Sequence, residues 1–343
     1  MKIAVLSYPM LPTPPPNYGG LELVAYNGAY GFAELGHKVV LFATEGSTIP
    51  PKGFLVETGP AVNVVHADWL KAEQEHHARI QHMLGDFDII WGNNWFGLEY
   101  LSKLRNPNLK VCHTHHGGLN MEWWGRSHPP FKLNLISISK WMQSVYRQQS
   151  FESRVCYNGI NLDLYPYNQI HGKRLLFIGR IDTFKQPDLA IRVAKKIGLG
   201  LDIIGGTFVQ DNTYLENIKS MCDGKQIKFY PDVTHEFKVK MLRKCKAVLF
   251  TSKMGEPFGL VPIEAFACGA PVLSTVDGAT PETIKDGEVG FLCRTEEDMV
   301  LRVKDLDMIK PEKCREWAKN FSHVKMCEQY LTRFKEILNG DEW

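Results

Sequence analysis

The sequence lacks paired cysteines. Cys112, Cys156, Cys222, Cys245, Cys268, Cys293, Cys314 and Cys327 are scattered singly along 343 residues, with no C-x-x-C. That excludes a zinc ribbon or a disulfide framework and predicts free thiols in a reducing cytoplasm. It also lacks any hydrophobic run near the ~20 residues that span a bilayer. The opening MKIAVLSYPM has one lysine and a short apolar stretch, then breaks at LPTPPP without a small-residue cleavage site. No signal peptide is expected there, so the protein reads as cytoplasmic. Charge excess is missing too: 40 basic residues oppose 38 acidic ones, a net of +2. No global field draws this chain to nucleic acid or membrane. The local exception is KVKMLRKCK (238–246), with five cations. It reads as the solvated face of an amphipathic helix; a peripheral membrane contact or part of a phosphate-lined cleft are the alternatives.

What is present is an α/β rhythm. Apolar residues make up 44% and charged residues 23%, ordinary for a globular protein, and 343 residues exceed what one core usually serves. IAVLSY, HKVVLFAT, DIIWGN, KVCHTH and NLISIS read as short strands separated by helical patterns. One of these, GGLELVAYNGAYGFAELG, ends at Gly36, a good helix stop. The polar, turn-rich stretch 158–173 reads as a linker. The rhythm then restarts with RLLFIG, PDLAIRVAKKIG, LDIIGG, KFYPD, AVLFTS and PVLST, and closes on a long helical pattern over 321–338. Alternation of this kind predicts two parallel sheets flanked by helices. The expected domains are 1–160 and 161–320, both Rossmann-like, with 321–343 crossing back to the first.

Ligands of such sheets sit outside the carboxyl ends of the strands, so the residues following each strand carry the function. NYGGLE (17–22) opens a helix with two glycines but is not the G-x-G-x-x-G fingerprint, which disfavours a nicotinamide dehydrogenase. HTHHGGLN (113–120) clusters three histidines without acidic or thiol ligands at metal spacing, so one neutral histidine facing a ligand is expected rather than a metal site. GRIDTFK (179–185) places Arg180 and Lys185 on one strand-end loop, suited to a diphosphate. MGEPFGLVPIEAFACGAPVLS (254–274) is largely apolar yet carries Glu256 and Glu264, with seven residues between them. An unpartnered buried carboxylate is costly, so each needs a cation or a ligand. The start of the helix at Gly259 and Leu260 offers free N–H groups to an anion, and the carboxylates suit hydroxyls on either side of it. A nucleotide sugar has that layout. Structural caps or buried ion pairs are the other reading of the two glutamates.

Taken together these stretches resemble the retaining GT-B glycosyltransferases of family 4 (glycosyl transferases group 1), over nearly the whole chain. The glycine-pair helix, NGINLDLY, GRIDTFKQPDLAI, EPFGLVPIEA followed by CGAPVL, and PETIKDGEVGFL follow that family's motifs in order. Gln186 stands where the family usually has Gly. The resemblance implies roles. Arg180 and Lys185 neutralise the leaving diphosphate, Glu264 holds the ribose hydroxyls, and Glu256 contacts hydroxyls of the donor sugar. Gly259 and Leu260 offer N–H groups, and Gly20 approaches the diphosphate. Gly179, Gly205, Val233 and Phe258 complete the donor site. His116 lies near the sugar, with His115 as its rival.

The resemblance further implies hexose transfer from a nucleoside-diphosphate sugar, UDP- or GDP-linked, by a front-face mechanism in which the leaving phosphate helps deprotonate the acceptor. It implies no cofactor and no metal, the cations standing in for magnesium, and a monomer or homodimer. A GT-B epimerase, a phosphorylase or a non-catalytic nucleotide-sugar sensor would use the same features; a phosphorylase also needs a pyridoxal-phosphate lysine, for which the sequence offers no basis. The acceptor is unassigned: a sugar, a lipid-linked molecule or a natural product. Trp123 and Trp124 are candidates for stacking on a sugar ring.

Overall fold

A computed structural model describes residues 1–17, 19–62, 68–117, 132–170, 172–207 and 211–343. Trp123 and Trp124 lie outside the described residues. The chain divides into two compact units, one built from Met1–Pro15, Gly19–Gly159 and His323–Trp343, the other chiefly from Ile160–Ser322.

The first unit is a parallel sheet of β1 (Lys2–Leu6), β2 (Lys38–Ala43), β3 (Phe54–Glu57), β4 (Ile89–Gly92), β5 (Val111–Thr114), β6 (Leu135–Ser137) and β7 (Arg154–Val155). Its spatial order is β3-β2-β1-β4-β5-β6-β7, with the reversal between β1 and β4. Ile3, Val5, Leu41, Ile89, Trp91 and Val111 are fully enclosed, as expected for strands covered on both faces. Helix Gly20–Glu34 reaches the sheet closely because Gly28 has no side chain: a Cβ there would lie 2.1 Å from the Trp91 ring. The chain leaves this helix through Gly36 at φ 86°, a left-handed stop that glycine adopts without strain. The last helix, His323–Leu338, packs on the same layer. Tyr330 lies 4.6 Å from Trp91, and Trp91 Nε1 donates to Thr114 Oγ1 at 2.9 Å.

The second unit repeats the plan with β8 (Leu175–Arg180), β9 (Leu201–Gly206), β10 (Ile227–Pro231), β11 (Ala247–Phe250), β12 (Val272–Thr275) and β13 (Gly290–Cys293), all parallel, in the order β10-β9-β8-β11-β12-β13. The reversal falls between β8 and β11, which opens a crevice at their carboxyl ends. Three strands escape the sequence pattern: β3, half-exposed at one edge of the first sheet, β7, only two residues long at its other edge, and β13, at an edge of the second sheet. All eight cysteines are free thiols, and all but Cys222 are buried. Among the described residues no helix is long and apolar enough to cross a membrane.

Candidate functional site

The residues expected from the sequence to form the site fall on both units. On the second they gather at the carboxyl edge of the sheet. Gly179 and Arg180 end β8, in register with Gly205 and Gly206 at the end of β9. Val233 follows β10 two residues past Pro231, and Glu256 lies on the loop after β11. Gly259 caps helix Leu260–Ala267 at φ 86°.

The GRIDTFK loop is held by Asp182. Its Oδ1 accepts from the N–H groups of Phe184 (3.1 Å) and Lys185 (2.9 Å), and its Oδ2 pairs with Arg180 Nε at 3.2 Å. Thr251 Oγ1, at the end of β11, donates to the carbonyls of Lys185 (2.8 Å) and Gln186 (2.9 Å). Gln186 sits at φ 49°, in the left-handed region, which explains why glycine is the usual residue at this position of the motif. Arg180 remains 48% exposed, its guanidinium at the surface of the loop.

Each glutamate has a lysine. Lys185 Nζ lies 2.5 Å from Glu256 Oε2, with the two side chains 19% and 7% exposed. Lys238 Nζ lies 2.6 Å from Glu264 Oε1, at 15% and 2%. Tyr165 donates to the same Oε1 at 2.7 Å. The Glu256 backbone is clamped as well. Asp277 accepts from the N–H groups of Gly255 (3.0 Å) and Glu256 (2.8 Å), while Ala279 N donates to the Glu256 carbonyl at 2.8 Å. Gly278, at φ 53°, permits this contact: a Cβ there would fall 2.2 Å from the Glu256 carbonyl oxygen. Helix Leu260–Ala267 begins beside this clamp, and the N–H groups of Gly259, Leu260 and Val261 lack intrahelical partners by position, while Pro262 has no N–H.

Two of the glycines expected at the donor site are explained by packing. A Cβ on Gly205 would meet Ile181 at 2.5 Å and Phe229 at 2.7 Å, and one on Gly179 would press Phe177 at 3.2 Å. Phe258 turns its ring into the core, edge-on to Phe321 at 5.8 Å, and is 2% exposed, so only its backbone can serve a ligand.

On the first unit, Gly20 opens the helix after β1, and the three histidines of HTHH diverge. His113 Nδ1 pairs with Glu99 at 2.5 Å inside the core. His115 is fully buried, its Nδ1 2.9 Å from the Gly117 carbonyl. His116, half-buried, sets Nε2 3.0 Å from Asn93 Oδ1. That oxygen can only accept, so Nε2 carries the proton and Nδ1 keeps a lone pair. Burial pushes His115 and His116 down to about 3, which keeps both neutral. Of the two rivals, His116 keeps some surface exposure and His115 has none. Among the described residues no three His, Cys, Asp or Glu side chains form a metal-ligating group. The chain's two D-x-D spacings lie elsewhere: Asp88 accepts from Lys2 N at the amino end of β1, while Asp305 and Asp307 pair with Arg302 and Lys246.

Lys238, Tyr165, Asp182 and Asp277 escape sequence reasoning as site residues. Lys238 lies within the cationic stretch 238–246, but its ammonium is committed to a buried carboxylate rather than to solvent.

Comparison with known proteins follows this geometry. The family Glycosyltransferase Family 4 matches residues 18–164, and Glycosyl transferases group 1 matches 170–323. A D-inositol 3-phosphate glycosyltransferase of Mycobacterium sp. (strain JLS) is 24% identical over 85% of this chain and 78% of its own length. An uncharacterised glycosyltransferase of Methanocaldococcus jannaschii is 27% identical over 56% of each chain. Among solved structures, AviGT4, a glycosyltransferase involved in avilamycin A biosynthesis, superposes with a TM-score of 0.77 at 22% identity, covering 100% of this chain and 99% of its own. Anabaena HepE, solved with UDP and glucose, gives 0.76 at 16%, covering 98% and 100%. At these identities the structural likeness shows the fold alone. The sequence matches, which together span most of the chain, and the shared architecture lead to one conclusion: this chain belongs to the group 1, family 4 glycosyltransferases and has their GT-B fold.

Proposed function

We propose that the protein transfers a hexose-type sugar from a nucleoside-diphosphate sugar, UDP- or GDP-linked, to an acceptor hydroxyl, with retention and without a metal ion. The observation that carries this reading is the pair of lysine-matched glutamates at the carboxyl edge of the second sheet, Lys185 with Glu256 and Lys238 with Glu264. Anabaena HepE, of the same fold, is known in complex with UDP and with UDP-glucose, which favours a nucleotide-sugar donor here.

In the proposed reaction the acceptor oxygen attacks the anomeric carbon on the face from which the diphosphate departs. The bond from that carbon to the phosphate oxygen breaks, and the acceptor proton passes to the leaving phosphate. Arg180 and Lys185 stabilise the charge that develops on the diphosphate, in place of a divalent ion. The N–H groups around Gly259 and Leu260 add to this. Glu256 accepts from hydroxyls of the sugar, Glu264 from the ribose, and neutral His116 bonds the sugar through Nδ1. Gly20 approaches the diphosphate, and Val233 and Phe258 contribute backbone to the nucleotide.

The test is turnover of UDP- and GDP-hexoses by the purified protein with EDTA present, with and without sugar acceptors. Release of nucleoside diphosphate, and an anomeric signal of unchanged configuration by NMR, are expected. A protein that binds the donors yet consumes none would be a sensor instead; activity lost to the chelator and restored by one divalent ion would remove the metal-free mechanism.

A further inference from the structure

The second sheet has an open cavity of about 430 Å³ at its amino edge, the edge away from Gly179 and Arg180. That volume is in the range of small-molecule sites. Arg174 immediately precedes β8 and Asp202 is the second residue of β9, and both line the cavity. Arg174 stands ~16 Å along the strand from Gly179 at the carboxyl end. Leu176 and Asp202 are register partners on neighbouring strands, so their side chains share one face of the sheet. Met241, in the last turn of helix His235–Leu242, and the following Lys244 and Cys245 close the other side. The segment entering β8 is stitched to that loop. Gly172 N donates to the Lys244 carbonyl at 2.9 Å, and Lys246 N to the Arg174 carbonyl at 2.7 Å.

The lining changes character with burial. Asp202 is 6% exposed; Arg174 Nε donates to its Oδ2 at 2.9 Å, and its Oδ1 is buried without a partner among the described residues. Arg174 commits both Nη groups to the carbonyls of Lys225, Leu201 and Gln226. The buried part of the lining therefore offers an acceptor, not a cation. An acceptor shut from water without a donor is unfavourable, and a ligand O–H relieves it. Ile170, Leu176 and Met241 make the walls apolar, with the methionine the most adaptable of them. Lys173 and Lys244 are exposed, without an ion-pair partner among the described residues. The cationic stretch 238–246 is thus divided: Lys238 holds Glu264, Lys246 pairs with Asp307 at 2.5 Å, and Lys244 borders this cavity. Acceptor, apolar wall and exposed cations call for a molecule with a donor, an apolar body and a negative group. A sugar phosphate fits poorly, because apolar walls would desolvate its many hydroxyls without replacing their hydrogen bonds.

We propose that this cavity is a second ligand site, for a small amphiphilic anion whose hydroxyl donates to Asp202 Oδ1, whose apolar body lies against Leu176 and Met241, and whose anionic group meets Lys173 and Lys244. The site is independent of the nucleotide-sugar reading.

The experiment titrates the protein by NMR with three probes. 3-(4-Hydroxyphenyl)propionate carries all three features, 3-phenylpropionate lacks the donor, and tyrosol lacks the anion. The first is expected to bind at about 1 mM or tighter, and each of the others about fivefold more weakly, the scale of one hydrogen bond or one exposed charge contact. Asp202→Asn keeps an oxygen for Arg174 and replaces the free acceptor by an amide NH2. It should reduce the preference over 3-phenylpropionate to within about twofold. Lys173→Met combined with Lys244→Met should do the same to the preference over tyrosol. Saturating probe should slow iodoacetamide labelling of Cys245, which lines the cavity, more than that of Cys293, which does not. UDP should not displace the probe. Melting curves confirm that the variants fold. Absence of binding by 3-(4-hydroxyphenyl)propionate, an equal loss of all three probes in Asp202→Asn, or displacement by UDP would overturn the second site. Failure of the protein to bind any nucleoside diphosphate would overturn the donor reading and leave this site standing.

Discussion

At the scale of residues, the two glutamates of the apolar stretch differ in what holds them. Glu264 is anchored on one oxygen by two donors, and Glu256 is anchored by Lys185, the cation proposed for the diphosphate. Lys185→Ala and Arg180→Ala should each lower transfer by at least ~100-fold, the scale of losing one charge-stabilising donor; steady-state rates with saturating donor measure this. Glu264→Gln should weaken bare nucleoside diphosphate by about ten- to a hundredfold. Glu256→Gln acts differently. It loosens Lys185 but also removes the carboxylate that competes with phosphate for that ammonium, and these effects oppose. Its nucleotide affinity should stay within about threefold while turnover falls by ~100-fold, the two constants being read by calorimetry and kinetics. Equal loss of nucleotide affinity in both variants would mean that the carboxylates are structural.

The residues that were legible share one property: their partners in meaning are near in sequence. Glu256 and Glu264 are eight positions apart and Arg180 and Lys185 five, so spacing alone announces them. Lys238 and Tyr165 reach Glu264 across 26 and 99 positions, and only the fold brings them there. Burial carried a misleading message at the cationic stretch, where one of five like charges is an internal partner rather than a solvated one. The three strands that were missed lie at or near sheet edges, where half-exposure or short length erases the apolar run that marks central strands.

At the scale of elements, the loop from β11 to helix Leu260–Ala267 is positioned from outside itself. The segment around Asp277 and Gly278 supplies the contacts that fix Glu256. Gly278→Ala introduces a Cβ at positive φ and against the Glu256 carbonyl, so the loop must shift. Stability should fall by ~1–3 kcal/mol and turnover by about a hundredfold, although residue 278 itself bears no functional group. At Gln186 the opposite substitution is favourable. Gln186→Gly relieves a left-handed conformation at the entry to helix Pro187–Ile197, offset by the greater freedom of glycine in the unfolded chain, for a net gain of up to about 1 kcal/mol. Unfolding in urea measures both; a lower midpoint for Gln186→Gly would show that the glutamine side chain matters more than its backbone.

At the scale of the whole molecule, buried ionisable groups shape the pH response. Burial raises Glu22 to about 7 and Glu73 to about 8, in the first unit. The folded state then holds protons that the unfolded state has released, so stability falls as pH rises from the ordinary glutamate range through 7 and 8. His115 and His116, held near 3, act in the other sense: the unfolded chain takes up protons below about 6.5 that the folded one refuses. Between about 4.5 and 6.5 the two trends oppose; above 6.5 the carboxyls act, joined toward pH 8.5 by the enclosed thiols, which burial also pushes up and which work in the same sense. Melting temperatures should therefore drop between pH 6.5 and 8.5, and Glu22→Gln should flatten that slope. An unchanged slope would mean that Glu22 is already ionised when folded.

The seven enclosed thiols have a practical corollary. A thiol shut away from reagent reacts only when its surroundings open, so each is a clock for the local opening of its own element. Cys112, Cys156 and Cys327 time the first unit, and Cys245, Cys268, Cys293 and Cys314 the second. Cys222, half-exposed at the end of helix Asn212–Ser220, should label first with iodoacetamide and serve as a single attachment point for a dye. Peptide-resolved labelling over time would then show, without any mutation, which half of the enzyme loosens first and whether a bound nucleotide slows the clocks of the second unit alone.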